Sequence, residues 1–156
     1  MIQKIRGFTL IELVVTLSVI AILAAVALPR YIALQSQARA GKAQAIFGGI
    51  RSAAALAHAQ ALATNTVTNG AATIQMEGVN VELINGYPRA DAAGIITALQ
   101  VDAVADNVTI SLGGAGPGNT IDIDMNGGNT PNCRVSYSAP AAANNSPNIT
   151  ITTGGC

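Results

Sequence analysis

From Phe8 to Leu28 the chain runs through 21 residues carrying a single charge, Glu12. Wound as an α-helix, such a run is about 30 Å long, enough to cross the hydrocarbon core of a bilayer. Lys4 and Arg6 stand just before it. By the positive-inside rule they stay cytoplasmic, and the rest of the chain is exported. A secretory signal peptide would need a small-residue cleavage site after the apolar run. Leu28-Pro29-Arg30-Tyr31 follows instead, although Ala24 and Ala25 lie near by. A plain single-span anchor accounts for everything except Glu12.

A carboxylate inside a membrane helix costs roughly 2.5–3.5 kcal/mol at the centre, less near the interface, and calls for a partner. The run holds no Lys, Arg or His. A cut between Gly7 and Phe8 would create a cation, the α-amine of Phe8, about 6 Å along the helix from Glu12. That amine could pair within its own chain. It could equally pair with Glu12 of a neighbour displaced along the axis, and the buried acid would then set the register between packed helices.

Composition narrows the alternatives. Eight Lys+Arg balance eight Asp+Glu, which disfavours a basic nucleic-acid module. Charges are segregated along the chain: Lys4, Arg6, Arg30, Arg39, Lys42 and Arg51 come early, and Glu12 is the only acid before Glu77. The exported part is thus acidic on balance, against a broad DNA-binding surface. One His and two Cys leave little for a metal site. No Ser/His/Asp set stands out, so no catalytic role and no cofactor is expected. Gly113-Gly114-Ala115-Gly116-Pro117-Gly118 lacks the Lys-Ser/Thr ending of a phosphate loop and reads as a flexible loop. His58, on an alanine-rich helix, reads as a packing residue.

The segment Arg6-Gly7-Phe8-Thr9-Leu10-Ile11-Glu12, abutting the apolar run, resembles the prepilin peptidase motif of type IV pilins and pseudopilins. The resemblance implies leader removal after Gly7, N-methylation of Phe8 and retention of the apolar segment. It implies that Glu12 meets a neighbour's Phe8 amine during assembly. Partners so implied are the chain itself in a helical homopolymer, the prepilin peptidase/N-methyltransferase, and the type IV pilus assembly platform and secretin. The precursor would sit in the inner membrane as a single-pass protein with its C-terminal part periplasmic, and the product in an extracellular pilus. Many members carry Gly where Ala21 stands; Ala21 is a strong helix former.

Pro29 lacks an amide donor and is expected to kink the helix without ending it. Arg30 to about Ala63 is rich in Ala, Gln, Arg and Lys, good helix formers. Phe47, Ile50, Ala54, Ala57 and Ala61 recur at three- and four-residue steps as an apolar stripe. Gly41, Gly48 and Gly49 weaken this helix by roughly 1 kcal/mol each and point to close packing on a sheet or a neighbouring helix. From Thr64 the text turns to Thr, Asn and Gly, a loop.

Period-two patterns follow: Ile74 and Met76; Val79, Val81 and Leu83; Val108, Ile110 and Leu112; Ile121, Ile123 and Met125; Val135 and Tyr137; Ile149 and Ile151. Glu77-Gly78 reads as a turn and Gly86-Tyr87-Pro88 as a break. Asp91 reads as the cap of a short helix through about Ala103. The expected fold is α+β: a type IV pilin fold with a long N-terminal helix (about 8–63) packed on an antiparallel sheet of about four strands. The expected organisation is a leader at 1–7, a transmembrane and filament-core helix at 8–28, an amphipathic half at 29–63 and a globular head at 64–156.

Cys133 and Cys156 lie in the exported part, where oxidation is expected. Two free thiols are the alternative. The pairing resembles the C-terminal disulfide-bounded region of type IV pilins. Asp122, Asp124, Asn126 and Gly127 begin like a calcium loop, but Cys133 stands where its bidentate Glu belongs. Asn85-Gly86-Tyr87-Pro88, Cys133-Arg-Val-Ser-Tyr137, Gly154-Gly155-Cys156 and Leu28-Pro29-Arg30-Tyr31 resemble mannose-sensitive haemagglutinin pilins. That likeness implies a structural subunit of a thin surface pilus for attachment and early biofilm formation. A pseudopilin of a type II secretion system is the alternative, because the N-terminal motif is common to both.

Overall fold

A computed structural model describes residues 7–66 and 69–156, so residues 1–6 of the expected leader, with Lys4 and Arg6, lie outside the described residues. Helix α1 (Leu10–Ala63) continues through Pro29. Pro29 has no N–H, so the carbonyl of Ala25 lacks its intrahelical donor. The helix ends where the sequence turns to Thr64-Asn65-Thr66. Asn65 takes a positive φ of 51°, its N–H bonds the Leu62 carbonyl, and the Thr66 N–H bonds the Ala61 carbonyl. This is a Schellman stop with Asn in the left-handed position.

The chain forms two compact units, one up to Ser36 and one from Gln37 to Cys156. The first unit's apolar side chains are exposed, Leu10 at 80% and Ile22 at 69%. Within α1 there is a segment long and apolar enough to cross a membrane, and none of it is buried.

The second unit holds the core. Strands β1 (Ala71–Met76), β2 (Val79–Ile84) and β3 (Tyr87–Pro88) form a three-stranded antiparallel sheet. A π-helical turn, Ala92–Ile96, continues into the short helix α2 (Thr97–Leu99). Strands β4 (Val108–Ser111), β5 (Thr120–Met125), β6 (Arg134–Ser138) and β7 (Asn148–Thr152) form a four-stranded antiparallel meander. Ile50, Ala53 and Ala54 of α1 pack with Ile121, Ile123, Val135 and Tyr137 of this sheet. One turn further on, Ala57 and Ala61 pack with Ile74, Val81 and Leu83 of the first sheet. Ile50, Ala54, Ala57 and Ala61 of the expected stripe are thus buried, and Phe47 packs against the core partly buried. The long helix on antiparallel sheet, with Cys133 and Cys156 in a disulfide, is the α+β pilin fold expected.

Three details differ from expectation. The strands sort into two sheets, because each hairpin turn selects its own partners. Glu77-Gly78 and Asn85-Gly86 both have two successive positive φ values, the geometry of tight two-residue hairpins. The stretch read as a break at Gly86-Tyr87-Pro88 is therefore a turn followed by β3, paired with β2 through Leu83↔Pro88 and Ile84↔Tyr87. Asp91 does cap a helical turn, its carboxylate accepting from the Gly94 N–H at 2.8 Å. That helix stops at Leu99, short of Ala103, with Gln100 at φ 57°. Asp102 takes over the backbone, accepting from the N–H groups of Val104 and Ala105 at 2.8 and 2.7 Å, which favours a turn over continued helix.

Candidate functional site

The first turn of α1 carries the sequence-designated residues. Gly7 and Phe8 precede the helix, and the Phe8 side chain is exposed. Thr9 and Glu12 are coupled in both directions. The Thr9 N–H and hydroxyl donate to Glu12 Oε2 at 2.9 and 2.7 Å, and the Glu12 N–H donates to Thr9 Oγ1 at 3.3 Å. This is a capping box, which satisfies N–H groups that a helix start leaves orphaned. The Thr-x-x-Glu spacing is the sequence signal of this second use of Glu12. The box fixes the carboxylate on the first turn, where an acid also complements the helix dipole. Among the described residues, Oε1 of Glu12 has no hydrogen-bond partner. Beside it on the helix surface lie Phe8, Ile11, Val15 and Thr16.

Asp122 and Asp124 sit two residues apart on one face of β5, with Arg134 of β6 between them. Arg134 donates to Asp124 through Nε and Nη2 at 2.7 and 2.9 Å, and to Asp122 through Nη1 at 2.8 Å. The Ser136 hydroxyl donates to the other Asp122 oxygen at 2.6 Å. Hydrogen bonding to Asp124 is the main cause that raises the Arg134 guanidinium above its ordinary pKa, with the charges of Asp122 and Asp124 adding to it against partial burial. Asn126 accepts from Thr109 and donates to Asn107. Two of the three oxygen donors of the calcium-loop pattern thus lie on a regular strand facing a guanidinium, and the third is engaged with other side chains. Among the described residues, no group of three or more His, Cys, Asp and Glu is placed to hold a metal ion.

His58 stacks on Tyr87 with ring centroids 4.2 Å apart, and its Nδ1 lies 2.9 Å from the Gly86 carbonyl. It locks α1 to the β2–β3 turn, the packing role read from sequence. With Leu62, Asn85, Asn144 and Asn145, this pair lines a cleft of about 250 Å³. Cys133 and Cys156 lie with Cα atoms 4.7 Å apart. Arg39 of α1 donates from Nε to the Cys156 carbonyl at 2.5 Å. That contact, spanning 117 positions, left no trace in the sequence pattern.

Residues 2–28 match the family described as the prokaryotic N-terminal methylation motif. The type IV narrow pilus major component PilA5 of Thermus thermophilus is 33% identical over 112 residues, covering 72% of this chain and 91% of that protein. No solved structure matches the chain. A bare apolar helix that becomes the spine of an α+β unit, together with these likenesses, defines a filament-forming subunit. The chain belongs to the type IV pilin family.

Proposed function

We infer that this chain is cut after Gly7 by prepilin peptidase, N-methylated at Phe8, and polymerised through α1 into a surface filament for attachment and early biofilm formation. The relative's description as a narrow-pilus major component supports this reading. So do the haemagglutinin-pilin-like segments at Asn85–Pro88 and Cys133–Tyr137. The observation that carries it is the first turn of α1. There Thr9 holds one oxygen of Glu12 and, among the described residues, the other has no partner, on a helix whose apolar sides are exposed. A neighbour's Phe8 amine supplies the missing partner, and neighbouring helices cover the apolar sides. In this reading residues 8–28 serve first as membrane anchor and then as filament core, Pro29 bends the helix, and residues 64–156 face outward. The assembly platform extracts the subunit from the inner membrane, and the secretin passes the fibre.

The test is Glu12→Ala in cells that make the filament. The variant is expected to insert and to be processed to a product starting at methylated Phe8, with sheared surface fibres lost. Normal fibres from that variant would overturn the pairing. Processed subunit confined to short periplasmic assemblies in the parent strain would point to the pseudopilin reading.

A further inference from the structure

Two features of the Gln37–Cys156 unit remain unexplained by its internal packing. The first is a sorting of charge. Among the described residues the ion pairs join Arg89 to Glu82 and Asp91, and Arg134 to Asp122 and Asp124. The remaining cations of this unit, Arg39, Lys42 and Arg51, all lie on α1. The remaining acids beyond Glu12 are Glu77, Asp102 and Asp106. Glu77 accepts from the Gln100 side chain at 3.0 Å, which ties the β1–β2 turn to the segment leading into Asp102. Glu77 borders an apolar surface with Leu56 62% exposed and Val79 51%, and a groove of about 260 Å³ runs beside Leu56, Met76, Glu77 and Val79.

The second feature is a pair of glycines. Gly49 has an internal reason: a Cβ there would stand 2.8 Å from Leu99 Cδ1. Gly41 and Gly48 have none, since a Cβ at either would meet nothing within 4 Å. Each weakens the helix by about 1 kcal/mol relative to Ala. At about 100° per residue, Gly41, Ala45, Gly48, Ser52 and Ala55 share one exposed face, opposite the buried Ile50 and Ala57. Arg51 flanks this face on the side away from Leu56, its guanidinium carbon 5.6 Å from the Phe47 ring centroid.

We propose that the acid-edged apolar surface of one subunit (Leu56 and Val79, with Glu77) docks on the small-residue face of α1 in a second copy of this chain, Arg51 meeting Glu77. The charges left over on the two surfaces are complementary in sign, which favours this partner and fixes its register. The glycines allow close approach of the other copy's turn. Two different patches on one chain make a heterologous contact, which propagates as a helix if it does not close into a ring. The proposal rests on the filament reading above and adds to it a contact outside the apolar run.

The test measures sheared filaments from cells making full-length subunit, with disulfide formation and membrane amounts as folding checks. Gly48→Leu enters open space and improves helix propensity, so the subunit stays folded; filaments are expected to fall about tenfold or more. Arg51→Glu and Glu77→Lys are each expected to lower filaments by a similar factor, because each sets like charges together. The double variant is expected to restore them. Normal filaments from Gly48→Leu, or no rescue by the double variant, would overturn the proposal. Failure of the parent chain to form any filament would overturn the filament reading itself.

Discussion

Tyr137 shows how one side chain joins the two sheets. It is fully buried, and its hydroxyl donates to the Pro88 carbonyl at 2.6 Å, linking β6 to β3. Burial pushes its phenol up from the ordinary value of 10.0, and the neighbouring Tyr87 adds to the rise. The folded chain therefore holds its proton at a pH where the unfolded chain releases it. Stability from this group is complete below about pH 10 and is lost as pH rises beyond it. Tyr137→Phe is expected to flatten that alkaline fall, measured as melting temperature against pH. At neutral pH it costs about 1 kcal/mol for the lost hydrogen bond. At the same scale the sequence spoke unevenly. Glu12 declared itself as a lone acid in an apolar run. Its link to Thr9 and the pairing of Asp122 and Asp124 with Arg134 depend on backbone geometry, which a motif such as D-x-D-x-N does not contain.

Among the elements, the long helix and the strand alternations were legible because their periods of three to four and of two are written in apolar side chains. The division into two sheets was not, because it is set by which turns take positive φ. Asn85-Gly86 was the available signal, a strong hairpin dipeptide read as a break. The end of the helix after Asp91 is not legible either, since Asp102 competes for backbone N–H groups only once the turn has formed. The disulfide acts at this scale. It joins residues 23 positions apart and holds the segment after β7 beside the start of β6. Two backbone bonds back it up, Asn129 N–H to the Gly155 carbonyl and Gly155 N–H to the Asn132 carbonyl. Reduction is expected to lower stability by about 3 kcal/mol in the chain-entropy account, a fall in melting temperature on the order of 10 °C. Thermal unfolding with and without reductant measures it.

For the molecule as a whole, the buried core residues among those described all lie between Ala43 and Cys156. A chain beginning at Gln37 keeps every one of them and discards the exposed apolar run. It is expected to stay in solution without detergent and to unfold in a single cooperative transition, checked by sedimentation and circular dichroism. A chain beginning at Phe8 is expected to need detergent.

The uncovered sides of Leu10, Ile22 and their neighbours have a further consequence for energetics. Lipid tails are about as apolar as leucine, so moving such a helix from a bilayer into a bundle of its own kind changes its greasiness of surroundings very little. In the filament reading, growth and dismantling then lie close to thermodynamic balance. Direction is set by mechanical work applied from outside and by small polar contacts such as the one at Glu12, and a fibre built this way is as readily drawn back as pushed out.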